Sequence, residues 1–209
     1  MFEIFLFINP TGLYCYNIES KVQKAINDLD IDVTYHFIPL ANVGVAQDDI
    51  HRRRQVAQKL CQFSFYTLTT TRALEDYHAI KIAYGNKRAR KFLLTLQKRL
   101  TPGINDCPIS LPDKVVSQLG FNLEQIKSLR ESNYVKESID RDQKLADQWK
   151  VRKTPTTIIF NEDENSESGV LLEGVVTEEA LRNIFAPMPK VKPKRSFKNI
   201  FSANHLRLI

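Results

Sequence analysis

The hydrophobic and polar positions of the first 40 residues predict a strand, a helix and a second strand. Residues 3–8 form a short, almost wholly apolar run, which is typical of a strand buried on both faces. From Leu13 to Leu29 apolar residues recur at three- and four-residue spacings, on one face of a helix. Residues 31–38 then alternate between apolar and polar until Pro39. This order predicts a β-α-β unit with parallel strands and a right-handed crossover.

The middle of the chain shows helical patterns only. Turn-forming sequences with Gly, Pro, Asn and Asp separate the helical segments between residues 48 and 130, and no convincing strand pattern occurs there. This region is therefore predicted to be a block of helices. The predicted helices cover residues 49–65, 69–84, 87–100, 112–119 and 122–130, and one more covers residues 134–149.

After this block the pattern returns to strands. A β-branched run at 154–160 and a second apolar run at 170–174 flank a polar turn, which predicts a hairpin. A last helix is predicted to begin after Thr177 and to end near Phe185. The remaining segment, 187–209, is basic, contains prolines and is predicted to be flexible.

This order of elements resembles the thioredoxin fold, an α/β fold, with a large all-helical insertion in its middle. Such an insertion is similar to that of the DsbA-like branch of the fold. We therefore expect residues 1–40 and 133–186 to form a thioredoxin-like domain and residues 41–132 to form the helical insertion. The segment 187–209 is left as a basic C-terminal tail.

The amino-acid composition indicates the class of protein and its cellular compartment. With 43% hydrophobic and 26% charged residues, the 209-residue chain has the composition of a soluble globular protein. No apolar stretch approaches the roughly 20 residues of a membrane span, and no signal-peptide pattern precedes Pro10. Three cysteines, an odd number, argue against a disulfide scaffold and fit a reducing compartment. We expect a cytoplasmic protein without a membrane partner.

The net charge of +6 is concentrated in two segments. Residues 81–101 contain seven Lys or Arg and no acid, and residues 190–209 contain six more, again with no acid. These segments are either a docking surface for an acidic partner or ordinary solvated surface. Because no ladder of aromatic residues accompanies them, nucleic acid is disfavoured. The candidates for docking a partner are Lys87, Arg88, Arg90 and Lys91.

The motif GLYCYNIE, at residues 12–19, is the candidate for redox chemistry. DsbA-like proteins have a strand followed by Cys-x-x-Cys, an aromatic residue, two further residues and Glu. The match to Cys15, Tyr16 and Glu19 places Gly12 where the first cysteine belongs. Since Gly12 has no sulfur, the site cannot form a local disulfide, and dithiol cycling within it is excluded.

A second motif, VRKTPTT at residues 151–157, resembles the Val-x-x-Thr-Pro-Thr segment that precedes the third strand of DsbA-like proteins. This resemblance implies a cis peptide bond before Pro155. It also implies a groove between the helix start and the Thr-Pro loop, where an extended peptide could pair as an added strand. The residues expected to form this groove are Gly12, Leu13, Tyr14, Cys15, Tyr16, Thr154 and Pro155.

Residues 76–100 are similar to the helical region of the YjbH/SpxH group. These are cytoplasmic DsbA-like proteins that act as adapters and deliver the transcription regulator Spx to the protease ClpXP. The resemblance covers residues 1–186 in the order of elements. It implies a protein-binding adapter whose partners are an Spx-like regulator and the protease machinery, with no cofactor.

An enzyme is the alternative function. A thiol-disulfide oxidoreductase or isomerase could use Cys15 alone with an external thiol, because isomerisation in principle needs one nucleophilic sulfur. A shifted frame would make Cys15 the first cysteine of the motif and Ile18 the lost partner, although the aromatic residue and Glu19 that follow favour the second position. Three roles for Cys15 stay open: an inert structural thiol, a redox nucleophile and a target of regulatory oxidation.

The other candidate residues give weaker evidence of a functional site. Cys61 lies among apolar residues and is most simply part of the core. The segment CPIS at 107–110 resembles a Cys-x-x-Ser motif but does not follow a strand. The four histidines have no zinc-binding spacing, and no phosphate-binding loop or nucleophile elbow occurs. We therefore expect no metal and no cofactor.

Overall fold

The computed structural model of the protein describes residues 1–55, 63–100, 108–161, 169–185 and 206–208. Within these ranges a mixed sheet of five strands packs with eight helices. The strands are β1 (Phe2–Ile8), β2 (Val33–Pro39), β3 (Thr156–Asn161), β4 (Val170–Glu173) and β5 (Leu206–Leu208). The helices are α1 (Cys15–Leu29), α2 (Val43–Gln55), α3 (Phe63–Tyr84), α4 (Asn86–Arg99), α5 (Leu111–Gln118), α6 (Leu123–Arg130), α7 (Asn133–Gln148) and α8 (Glu178–Phe185).

The sheet has the strand order β2-β1-β3-β4-β5, so that β1 lies between β2 and β3. β1 pairs with β2 in parallel and with β3 antiparallel, so the predicted β-α-β unit with parallel strands is confirmed. β3 and β4 form the predicted antiparallel hairpin. β5 adds to the edge of β4, a strand that the sequence did not predict, within the segment expected to be flexible. The rest of that segment, 187–205 and 209, lies outside the described residues.

The described helices between residues 41 and 132 agree with the predicted ones except at the start of α2 and within α3; residues 56–62 and 101–107 of this block lie outside the described residues. The expected break between residues 65 and 69 is wrong, because α3 continues through them. Threonines have low helix propensity, but tertiary contacts outweigh it here, because Tyr66 and Thr70 are buried and their hydroxyls bond to the loop before α1. α2 also begins earlier than predicted, since the Asn42 side chain accepts the Val45 amide at 2.9 Å and caps the helix.

Both faces of the sheet are buried, as the apolar pattern of β1 predicted. On one face α7 and the residues after it cover a smaller cluster that includes Phe7, Ile38 and Ile158. On the other face a larger cluster joins β1 and α1 to the helices of the insertion, so the two parts of the chain share one core. Fully buried members of this cluster are Ile4, Leu6, Ile18, Val22, Phe92, Leu93, Leu96 and Val115.

Candidate functional site

The loop from Asn9 to Tyr14 connects β1 to α1 and makes Cys15 the first residue of the helix. The Cys15 side chain is only 1% exposed. Its burial, and secondly the nearby Asp49 carboxylate, raise the pKa of the thiol from 9.0 to about 12. The thiol is therefore neutral at physiological pH, and the thiolate that acts as a nucleophile is disfavoured.

Gly12 lies against this thiol. A Cβ atom at position 12 would sit 2.7 Å from the Cys15 Sγ and 3.0 Å from the Asn9 Cβ. In a disulfide, one Cβ and the partner sulfur are separated by about 3 Å. This closeness supports the frame in which Gly12 occupies the position of the first cysteine, whereas Ile18 of the alternative frame is buried in the main core.

A buried carboxylate from the insertion holds the loop in place. The Asp49 side chain, on α2, accepts the Leu13 amide at 2.8 Å with one oxygen. Its other oxygen accepts from the Arg53 Nε at 2.7 Å and from the Tyr66 hydroxyl, on α3, at 2.8 Å. Arg53 also donates to the carbonyl of Thr11 at 2.5 Å. The desolvation cost of Asp49 is thus offset by three donors.

Further polar groups of Asn9 and Thr11 in this loop are also bonded within the chain. The Asn9 side chain donates to the Tyr66 hydroxyl at 2.8 Å, and the Asn9 carbonyl accepts from Gln97 on α4 at 3.3 Å. The hydroxyls of Thr11 and Thr70 lie 2.6 Å apart. Asp49, Arg53, Tyr66 and Thr70 were not recognised in the sequence as site residues. The only local signal was the four-residue spacing of Asp49 and Arg53, which predicts an ion pair on one helix.

The bond between Thr154 and Pro155 is cis, as predicted. The Thr154 carbonyl accepts from Arg52 Nη1, on α2, at 2.8 Å, and the Pro155 carbonyl accepts from the Gly174 amide at 2.7 Å. α2 therefore reaches both sides of the expected groove, because its side chains bind the loop before α1 and the loop before β3. Neither of these two carbonyls is left open for a peptide strand.

The structure places the expected peptide groove in the interior of the protein. Of its seven residues, Tyr14 and Tyr16 are half-buried and the others are buried. Because side chains of α2 already bond to both loops, a peptide site here stays a prediction. The buried members are Gly12, Leu13, Cys15, Thr154 and Pro155.

The four basic docking candidates on α4 differ in their surroundings. Lys87, Arg88 and Lys91 are exposed, but Arg90 is half-buried. Arg90 Nε donates to the buried Glu19 carboxylate at 2.5 Å, and its guanidinium carbon lies 4.5 Å from the centroid of the Tyr35 ring. Burial raises the pKa of Glu19 to about 7 against the opposing effect of Arg90. Arg90 is thus already engaged within the protein.

An open groove runs between α1 and α4, with a volume of about 960 Å³. The pair formed by Glu19 and Arg90 lies among its lining residues. Apart from Glu19, the residues of α1 that form one side are uncharged, and most of the residues of α4 that form the other side are basic. The remaining lining residues are Tyr16, Ser20, Gln23, Lys87, Lys91, Leu94, Thr95, Lys98, Arg99 and Gln118.

Other candidates fall outside this site or outside the described residues. Cys61 and Cys107 lie outside the described residues, so the core position of Cys61 and the Cys-x-x-Ser motif at 107–110 stay predictions. Among the described residues no cluster of His, Cys, Asp and Glu could hold a metal ion. Within the same ranges, no helix combines the length and apolar character that crossing a bilayer requires.

Comparison with known proteins supports the sequence resemblance. The chain is 27% identical over 180 residues to the ClpXP adapter protein SpxH of Staphylococcus saprophyticus, which covers 83% of this chain and 60% of the relative. The chain thus spans about three fifths of that relative's length.

Solved structures of DsbA-like and thioredoxin-like oxidoreductases have the same fold. A thioredoxin-like oxidoreductase from Silicibacter pomeroyi superposes with a TM-score of 0.57 at 16% identity, covering 87% of this chain and 83% of the other. The thiol-disulfide exchange protein α-DsbA2 from Wolbachia pipientis gives a TM-score of 0.56 at 15% identity, covering 88% and 79%. At these identities the likeness shows the fold: a thioredoxin fold with the helical insertion of DsbA-like proteins.

A family profile extends this likeness along most of the sequence. The profile described as thioredoxin matches residues 5–183, from β1 to the last turns of α8, including the whole insertion. The chain therefore belongs to the thioredoxin family, in its DsbA-like form.

Proposed function

We propose that this protein is a protein-binding adapter that promotes the proteolysis of a regulator by ClpXP, without redox chemistry of its own. The observation that carries the proposal is the buried Cys15 thiol next to Gly12, which has no sulfur. A thioredoxin-fold site without a second sulfur and with a neutral, covered thiol retains surfaces for binding but not the chemistry of dithiol exchange.

The relative named as a ClpXP adapter supports the protease partner. By the same likeness, the bound regulator is Spx-like. Because the chain spans 60% of that relative, its described part need not contain every surface that the adapter uses. The odd number of cysteines supports action in a reducing compartment, the cytoplasm.

A reconstituted degradation assay tests the proposal. Purified ClpXP is incubated with an Spx protein, with and without this chain, and the rate of Spx loss is followed on gels. We expect the chain to accelerate degradation and Cys15→Ser to accelerate it equally, because the proposal assigns no electron transfer to Cys15. No acceleration by the wild-type chain, or its loss in Cys15→Ser, would contradict the proposal.

The alternative function is a thiol-disulfide oxidoreductase or isomerase that uses Cys15 alone. The fold of the oxidoreductases described above supports this alternative. Alkylation by iodoacetamide across a pH series distinguishes the two, in a Cys61→Ser/Cys107→Ser background that leaves one thiol. A midpoint below the ordinary value of about 8.5 favours the enzyme, and a thiol that reacts only after unfolding favours the adapter.

A further inference from the structure

The groove between α1 and α4 has a strongly positive side. α4 contains six basic residues and no acidic residue. Among the described residues that line the groove, Glu19 is the only acid, and Arg90 binds it. The exposed Lys87 and Lys91 make no ion pair with any acid in the described part of the chain. The groove therefore presents positive charge that the protein itself does not neutralise.

The positive charges follow a regular line along α4. Lys87, Lys91 and Lys98 occupy positions i, i+4 and i+11 and face the groove. With a rise of 1.5 Å per residue, this line is about 16 Å long. Leu94, at position i+7 of the same line, places an apolar side chain between the lysines, and Tyr16 contributes an aromatic ring from α1. The groove thus combines a charged line with an apolar patch.

We propose that this groove binds an acidic, amphipathic segment of the protein partner. Its carboxylates would meet Lys87 and Lys91, and an apolar side chain would pack against Leu94 and Tyr16. This inference rests on the proposed adapter function and adds the surface and the chemistry of the partner. A protein segment fits better than nucleic acid, because Tyr16 is the one aromatic residue among the described lining residues, and strands of bases need several stacking rings.

A designed peptide tests the groove directly. The probe is a fluorescein-labelled helical peptide with glutamates at i, i+4 and i+11 and a leucine at i+7, measured by fluorescence anisotropy. We expect binding that weakens when salt rises from about 50 to about 200 mM. The double variant Lys87→Glu/Lys91→Glu should weaken binding about tenfold, since two attractive contacts become repulsive. The same peptide with glutamines in place of the glutamates should also bind more weakly.

Arg88→Glu is the matched control. Arg88 is exposed on the same helix, and Arg88→Glu changes the charge by the same amount as the single variant Lys91→Glu. Arg88 lies over the Tyr84 ring, at 5.8 Å, and does not line the groove. We expect its affinity for the peptide to stay within about twofold of the wild type. An equal loss in Arg88→Glu and in the single variant Lys91→Glu would show a general charge effect and overturn the inference. The inference would also be overturned if a single-stranded RNA bound more tightly than the peptide and the double variant lost that binding.

The degradation assay separates this inference from the proposed function. Peptide binding that depends on Lys87 and Lys91, with no accelerated degradation by ClpXP, would overturn the adapter function and keep the groove as an acidic-segment site. Accelerated degradation that survives in the Lys87→Glu/Lys91→Glu variant would keep the adapter function and overturn the groove as its docking surface. We expect the Lys87→Glu/Lys91→Glu variant to lose both peptide binding and accelerated degradation, and the Arg88→Glu control to keep both.

Discussion

At the scale of single residues, two opposite effects act on the Cys15 thiol. As the first residue of α1 it lies where the unpaired amides of a helix N-terminus stabilise a thiolate, by typically 0.3–1 and up to about 2 kcal/mol. Burial acts in the other direction and is larger, since a pKa raised from 9.0 to about 12 corresponds to about 4 kcal/mol. The helix N-terminus by itself would favour the thiolate, and the burial of the sulfur outweighs this effect.

Gly12 gives a prediction about the missing cysteine. Gly12→Cys should form a disulfide with Cys15 under oxidising conditions, because its Cβ would start 2.7 Å from the Cys15 Sγ. The measurement is the loss of two thiols in a mass-resolved alkylation assay, with Cys61 and Cys107 replaced by serine. Two free thiols after strong oxidation would contradict the predicted geometry.

The matched variant is Gly12→Ala, which adds the same Cβ but cannot form the bond. We expect it to lower the free energy of unfolding by about 1–3 kcal/mol, because the loop is too tightly packed for the added methyl group. In a Cys15→Ala background the same substitution should cost less, since the closest atom is removed. A double-mutant cycle in urea measures this difference, and additive costs would show that the sulfur is not the obstacle.

At the scale of elements, α2 and α3 close the loop that carries the degenerate motif. Tyr66→Phe removes the hydroxyl that donates to Asp49 and accepts from Asn9, leaving buried polar groups with fewer partners. We expect a loss of about 1–3 kcal/mol in the free energy of unfolding. Because the loop is then held less firmly, alkylation of Cys15 in the folded protein should become faster.

Thr67→Ala is the control for this change. Thr67 is the next residue on α3, is exposed, and its hydroxyl bonds only within the helix, to the Phe63 carbonyl. It should change stability by about 0.5 kcal/mol or less and leave the Cys15 alkylation rate unchanged. Equal alkylation rates for Tyr66→Phe and the wild type would mean that the loop is held by other contacts.

A buried histidine joins α3 to α7. His78 is fully buried, its Nδ1 lies 2.8 Å from the Ser138 Oγ, and its Nε2 lies 3.6 Å from an Asp142 carboxylate oxygen. Burial, with smaller contributions from Lys81 and Arg141, lowers the pKa of His78 from 6.5 to about 3. A lowered pKa means that the unfolded chain binds the proton first, so stability is present above pH 6.5 and is lost as the pH falls.

The variant His78→Asn isolates this effect, since its side-chain amide can still bond to Ser138. Between pH 6.5 and 5 the wild type should lose about 2 kcal/mol more in the free energy of unfolding than the variant, from urea titrations at each pH. Carboxylates that titrate in both proteins, including Asp142, cancel in the comparison to the extent that their surroundings are unchanged. Parallel pH profiles would show that His78 is charged in the folded state.

At the scale of the whole molecule, the insertion and the thioredoxin-like part share one core. Ile4 and Ile18 belong to the same buried cluster as Phe92 and Val115. We therefore expect one cooperative unfolding transition, although the order of elements divides the chain into two parts. Trp149, the single tryptophan, reports on the thioredoxin-like part, whereas far-UV circular dichroism reports mainly on the helices. Their urea midpoints should coincide, and two separate midpoints would contradict the shared core.

The sequence by itself determined the fold family, most of the secondary structure and the loss of the dithiol. Two of these features depend on local information, since the periodicity of β1 and α1 encodes which faces are buried and Gly12 lacks a sulfur atom whatever surrounds it. The cis bond before Pro155 was implied by the resemblance of its segment to DsbA-like proteins. The break wrongly placed within α3 has a tertiary cause instead, since helix propensity does not register the contacts of the buried Tyr66 and Thr70 with the loop before α1.

Only the tertiary structure decided what the motif can do. The polar contacts that cover the loop come from residues 36 to 88 positions away along the chain, such as Asp49, Tyr66 and Gln97. Their polar side chains give no sign in the sequence of which loop they will bind. The groove likewise exists because α1 and α4 pack side by side, and that packing engages Arg90 while Lys87 and Lys91 stay exposed. The burial of a site and the charge around it depend on all of its neighbours in space, and the linear sequence does not show which residues these neighbours are.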